Sequence, residues 1–376
     1  MTESVALVKV EDIARMYDFG SSHPLRPERV LLTYDAIRDL GLAALGNVEE
    51  IASRSATNAE IEAVHDRDFV AMVKALDAGT ADRRKALEFG LGTPDNPIFD
   101  GMHVASAAVC GASITAAEAV ATGAVQHAFN PAGGLHHARR REASGFCIYD
   151  DPAAAIAKVL ALHADWRVMY VDVDVHHGDG VQWIFYDDPR VLTVSFHQSG
   201  RYLYPGTGFE DEIGAGDAAG TSANVPLMPL TGNDDYLWAL EEVVPHLAEA
   251  FAPHLLLTQL GADTHYGDPL ANLGLTMAAY PRMARILHDT ADRFAGGRWV
   301  ATGGGGYQAD TVVPQVWTIH FAEMCGRTDL IPAGWLDDVD PAEVSRSYRG
   351  GLERSVGQVL DACLPRLSAL AGRGGT

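Results

Sequence analysis

Along the chain, short runs of aliphatic and β-branched residues alternate with longer Ala-rich helical stretches. Residues 124–131 (AVQHAFNP), 166–177 (WRVMYVDVDVHH), 190–197 (RVLTVSFH), 253–263 (PHLLLTQLGAD) and 298–307 (RWVATGGGGY) read as strands. Residues 151–164 and 278–296 read as helices between them. Such βαβα alternation predicts an α/β fold with a mostly parallel sheet and helices on both faces. No internal repeat or linker interrupts it, so one domain over 1–370 with a disordered tail at 371–376 is expected. The Gly-rich residues 206–226 read as a long functional loop. Within them GAGDAAG (214–220) is not a dinucleotide fingerprint, because its third glycine comes one place late and no βαβ unit surrounds it.

One strand breaks the apolar pattern. In YVDVDVHHGDG (170–180), Asp172, Asp174 and His176 fall at alternate positions, which on a strand share one face. Burying two carboxylates and an imidazole there is costly without a partner. Other chemistry-bearing residues also cluster where strands finish: His136 and His137 after the first, Asp179 after the second, Asp263 after the fourth and Tyr307 after the fifth. Ligands of open α/β sheets bind beyond the carboxyl ends of strands, so dispersed residues can converge there.

Asp174, His176 and Asp263 then make a three-ligand set that leaves a position open, the pattern of a catalytic metal site. The plainer alternative is an acidic strand-end cluster held by salt bridges or helix N-termini. The turn PAGGLHH (131–137) can present both His136 and His137 to one cavity, with Asp172 and Asp179 as candidates to orient the rings. GGGG (303–306) has no Lys-Ser/Thr after it and reads as a tight turn that brings the backbone near a ligand. Tyr307 follows, a phenol able to donate to a developing oxyanion.

Composition narrows the partners. The 376 residues, 47% of them hydrophobic, suffice for a large core, and the net charge of −22 disfavours nucleic acid and anionic membranes. No basic-then-apolar leader opens the sequence, and no run approaches the roughly 18 uninterrupted apolar residues of a membrane span. Cys110, Cys147, Cys325 and Cys363 lie far apart without a CxxC pair and read as buried residues in a reducing cytoplasm. Arg139 to Arg141 read as a solvated basic turn.

PAGGLHHARRREASGFCIYDD (131–151), YVDVDVHHGDGVQ (170–182), YPGTG (204–208), GADTHYGDPL (261–270) and GGGGY (303–307) together resemble the signature blocks of the zinc-dependent histone deacetylase superfamily, in the same order. HPLRPER (23–29) and GTPDNPIF (92–99) extend the likeness, and HPLRPER, GMH (101–103), the THYGDPL variant (264–270) and VVPQVW (312–317) are most similar to its bacterial acetoin-utilisation branch. The resemblance implies an arginase-like α/β fold with an eight-stranded parallel sheet. It implies one catalytic ion per chain, zinc or ferrous iron, on Asp174, His176 and Asp263. His137 would be the general base and later acid, His136 its electrostatic partner, and Tyr307 the carbonyl-polarising phenol. Gly145 and Phe146 would line one wall of an acyl-lysine tunnel. Tyr204 would form the opposite wall, where most relatives carry Phe. Asp95 would be the rim carboxylate that grips the substrate backbone, and Arg29 would line a pocket behind the metal. A structural K⁺ or Na⁺ would sit among the backbone carbonyls of Asp172, Asp174, His176 and Phe196, with Ser195. The implied activity is removal of acetyl groups from acetyl-lysine of proteins, acetyl-CoA synthetase being the family's implied target. Rival readings are an acetylpolyamine amidohydrolase, a dimanganese ureohydrolase, which the HHGDG and GGGGY blocks oppose, and a non-catalytic acyl-lysine-binding module.

Overall fold

The computed structural model describes residues 3–336 and 339–373. Its eight strands are β1 (Val5–Lys9), β2 (Val48–Ala52), β3 (His127–Asn130), β4 (Val168–Asp172), β5 (Val191–Gln198), β6 (Ser222–Leu227), β7 (Leu255–Gln259) and β8 (Trp299–Thr302). They form one sheet in the order β2-β1-β3-β8-β7-β4-β5-β6, and every pairing is parallel. This is the arginase-like α/β architecture that the sequence blocks implied.

Helices cover the sheet in two packed sets. Met102–Ala121 and Asp151–Leu162 pack on each other, while Asn233–Phe251, Tyr280–Phe294, Val312–Met324 and Arg349–Arg373 form a connected second set. Strands roofed on both sides become apolar throughout, and β3, β4, β5, β7 and β8 are buried along their whole length. Asp150 caps the helix Asp151–Leu162, its carboxylate accepting the Ala153 amide at 2.8 Å, and Pro152 pre-sets its first turn.

Three strands escaped the sequence pattern. β2 (VEEIA) is a half-exposed edge strand rich in Glu, and β1 precedes any turn signal. β6 lies at the end of the stretch read as a long loop; Pro226 demotes it on sequence, and it is indeed the other edge of the sheet. The helix Met102–Ala121 is long and apolar enough on average to cross a membrane, but 78% of its most apolar window is buried within the protein. The terminal helix runs to Arg373, so the backbone of 371–373, expected to be disordered, is helical; 374–376 lie outside the described residues.

The register places the site. Asn130 pairs with Thr302, Thr302 with Gln259, and Gln259 with Asp172, so the last residues of β3, β8, β7 and β4 form one row across the sheet centre. Loops leaving these four neighbouring strands carry all the residues that the sequence placed at strand ends.

Candidate active site

Past Asn130, the chain turns through Gly134, whose φ of 91° is the left-handed region where a side chain would be strained. The buried Asp151 ties this turn down, accepting the amides of Gly134 (3.0 Å) and Leu135 (2.8 Å) and the Ser113 hydroxyl (2.5 Å). The turn delivers both imidazoles to one cavity. His136 Nδ1 donates to Asp172 Oδ2 at 2.7 Å and His137 Nδ1 to Asp179 Oδ1 at 2.7 Å; the two Nε2 atoms are 3.1 Å apart.

The rings differ in charge. Burial opposes a proton on His136, yet Asp172 and Asp174 outweigh it and push its pKa up to about 10. His137 is held down to about 4 by burial and then by the charge on His136, against the pull of Asp179. The pair therefore keeps its proton on His136 and leaves His137 neutral.

Arg139 departs from its reading as a solvated residue. Its guanidinium reaches the second oxygen of Asp179 from Nε (3.1 Å) and Nη2 (2.8 Å), and Arg140 donates to the Ile184 carbonyl at 3.0 Å. The fork holds the carboxylate that orients His137.

Nor do Asp172, Asp174 and His176 share a strand face, because β4 stops at Asp172. The chain instead makes two successive side-chain turns. Asp172 Oδ1 accepts the Asp174 amide (3.1 Å), and Asp174 Oδ1 accepts the His176 amide (3.0 Å). That winding separates the roles: Asp172 turns to His136, while Asp174 and His176 turn towards Asp263. His176 Nδ1 lies 3.1 Å from Asp174 Oδ1 and 3.1 Å from Asp263 Oδ2.

All three are buried, and their donor atoms lie within 4.8 Å of one another. Asp263 is pushed up to about 8 by burial and by Asp174, a conflict that a cation between them would relieve. Two carboxylates and an imidazole with the cavity on one side fit a divalent ion with an open position. Two further groups complete the setting, Gln259, which has no sequence signal, and Gly305, within the glycine run read as bringing the backbone near a ligand. Gln259 Nε2 donates to Asp174 Oδ2 at 2.7 Å, and the Gly305 amide donates to the same oxygen at 2.6 Å. A Cβ on Gly305 would overlap Asp263, so close approach rather than turn geometry requires glycine there.

Tyr307 stands at the cavity wall, its amide donating to Asp268 Oδ2 at 2.9 Å. Loss of water and the facing carboxylates Asp263 and Asp174 hold its phenol well above the ordinary value, so it stays protonated. Ser144 and Cys147 bridge a tight hairpin whose central residues, Gly145 (φ 49°) and Phe146 (φ 69°), are both left-handed, a type I′ pattern. This turn sets Phe146 against Tyr307, ring centres 5.8 Å apart. Tyr204 stands against His137, its ring 5.2 Å away, with its hydroxyl hydrogen-bonded to Ser144 of the same hairpin.

Asp95 is exposed; its backbone carbonyl accepts from His23 (3.3 Å), whose ring lies 4.5 Å from Phe146. Arg29 is buried behind the site, donating to the Gly304 carbonyl at 2.6 Å and lining, with Asp174 and Tyr307, a cavity of about 20 Å³. Ser195 sits beside Asp172 across the β4–β5 pair, with Phe196 next to it, and the Ser195 hydroxyl is 2.9 Å from His197 Nδ1. The four cysteines are buried and free.

The histone deacetylase domain matches residues 23–324. The acetoin utilization protein AcuC of Bacillus subtilis is 43% identical over 322 residues, covering 85% of this chain and 82% of that protein. The proteins of the same name from Staphylococcus aureus (strain MRSA252) and Staphylococcus xylosus are 34% and 32% identical, covering 85% and 86% of this chain and 82% and 84% of their own lengths. Domain match, sheet topology and relatives agree, and the chain belongs to the histone deacetylase family.

Proposed function

We propose that this deacetylase hydrolyses Nε-acetyl-lysine on proteins, with zinc or ferrous iron on Asp174, His176 and Asp263. The observation that carries the reading is the division of charge between His136 and His137 beside those ligands and the protonated phenol of Tyr307. A divalent ion bound there would supply Lewis acidity to the acetamide carbonyl and to water. His137, neutral and oriented by Asp179, takes a proton from the attacking water. His136, charged against Asp172, stabilises the negative charge that develops, and Tyr307 donates to the oxyanion. His137 then returns its proton to the departing amine, leaving acetate and free lysine. Asp172, Ser195 and Phe196 would share a K⁺ or Na⁺ with the backbone of Asp174 and His176.

Lysine is favoured because two aromatic rings stand against the proposed catalytic groups, Phe146 against Tyr307 and Tyr204 against His137, and apolar faces there suit the methylene chain of an acyl-lysine. The names of the relatives point to acetoin utilization, and acetyl-CoA synthetase is the protein substrate we put forward. Four buried free thiols suit a reducing cytoplasm.

The test is a panel of acetylated peptides, including one from acetyl-CoA synthetase, against acetylpolyamines, using protein of defined metal content. Higher kcat/KM on peptides supports the reading. A clear preference for acetylpolyamines would replace it with the amine substrate, and binding without turnover on every arm would reduce the protein to an acyl-lysine reader.

A further inference from the structure

We propose that Glu3, His127, His288 and Asp292 form a second divalent-metal site, remote from the catalytic centre. His127 opens β3 beside Val5 of β1 and Trp299 of β8, and Glu3 lies just before β1. The cluster thus sits at the N-terminal edge of the sheet, opposite the row of strand ends that carries the catalytic residues.

One donor atom from each residue lies within 4.8 Å of all the others. Glu3 Oε2 is 3.0 Å and Asp292 Oδ2 3.9 Å from His288 Nε2. A tetrahedral ion with bonds near 2.0–2.1 Å needs donors about 3.4 Å apart, so small side-chain shifts close the set.

Each imidazole has an outer partner on the nitrogen that faces away from the cluster. His127 Nδ1 donates to the Met324 carbonyl at 3.0 Å, which leaves Nε2 as the lone-pair nitrogen; that atom is fully buried and has no hydrogen-bond partner. His288 Nδ1 donates to the buried Glu323 at 3.0 Å, and its Nε2 lies 3.0 Å from Glu3 Oε2, so an ion entering the cluster would displace the proton shared between that nitrogen and the carboxylates. An outer carboxylate or carbonyl on the far nitrogen is how metal-ligating histidines are usually oriented. The two rings meet edge to face with centres 4.9 Å apart, and both lie against Trp299.

The carboxylates come from the solvent side. Glu3 is partly exposed and Asp292 more so, giving an ion a way in, while the histidines form the floor. Two imidazoles with two carboxylates favour a borderline ion such as Zn²⁺ over Ca²⁺ or Mg²⁺, which take oxygen donors. Bound there, it would tie the residue before β1 to β3 and to the helix Tyr280–Phe294.

The experiment is calorimetric titration of the chelator-stripped full chain with Zn²⁺, with metal analysis of the product. Two ions per chain are expected. Asp292→Asn and Glu3→Gln, both at the surface, should each remove one ion or weaken it at least tenfold while acetyl-peptide turnover persists. Glu323→Gln should weaken the same ion by about 10–100-fold through His288. Asp174→Asn should remove the other ion. A single ion in the wild type, or uptake unchanged in both Asp292→Asn and Glu3→Gln, would overturn the proposal.

Discussion

His136 and His137 approach each other to 3.1 Å through Nε2 while their Nδ1 atoms are held by different carboxylates, Asp172 and Asp179. Adjacent residues thereby acquire different charge states, His136 protonated and His137 neutral. On the proposed mechanism the base must be neutral to accept a proton, so activity is expected to need His137 above its pKa and to be lost as pH falls through it. Because that pKa is depressed towards about 4, the acid limb of kcat/KM should lie below the free-imidazole range and show one proton. His137→Ala should cost about 10²–10⁴ in kcat, the range of general acid–base catalysis, and His136→Ala less. Steady-state kinetics on an acetyl-lysine peptide checks both; the reverse ranking would exchange their roles.

Arg139 should act on the position of that limb. Its guanidinium offsets the charge of Asp179, so Arg139→Met leaves His137 facing a less compensated carboxylate, which raises its proton affinity. The acid limb should move to higher pH, with a smaller loss of kcat at its plateau. An unmoved pH profile would reduce Arg139 to a structural residue.

Tyr307→Phe should keep its metal and lose a factor of about 10²–10³ in kcat, the value of one oxyanion donor. Near-normal turnover with normal metal content would remove the phenol from the chemistry.

Gly145→Ala tests the hairpin beneath Phe146. A methyl at this left-handed position would overlap the His137 ring, so that ring must shift. The expectation is a chain destabilised by roughly 1 kcal/mol or more, with metal retained and kcat sharply reduced. Thermal melting and turnover together check it, and full activity would contradict the packing described here.

Asp95 bears on peptide recognition. It is exposed near Phe146 through His23, so Asp95→Ala should weaken turnover of a peptide far more than of a small acetyl-lysine analogue lacking flanking amides. Equal losses on both substrates would argue against a grip on the peptide backbone.

By itself, the sequence determined the residue types and their order. Alternation of apolar runs with Ala-rich stretches announces a parallel α/β sheet, since strands roofed on both faces must be apolar and crossovers must be helical. Polar residues at the ends of β3, β4, β7 and β8 stood out for the same reason: charge after a buried strand needs a purpose. Local patterns could not show what depends on neighbours far along the chain. Only the strand order made those four ends adjacent, and only the register lined up Asn130, Thr302, Gln259 and Asp172. Gln259 and Arg139 gave no signal because an amide and a guanidinium are ordinary until folding puts Asp174 and Asp179 within reach. The edge strands β2 and β6 escape the pattern because one-sided burial lets Glu and Pro into them. Strand alternation groups Asp174 with His176, but the structure joins them through side-chain turns beyond the end of β4, where carboxylates accept the amides that the sheet no longer pairs.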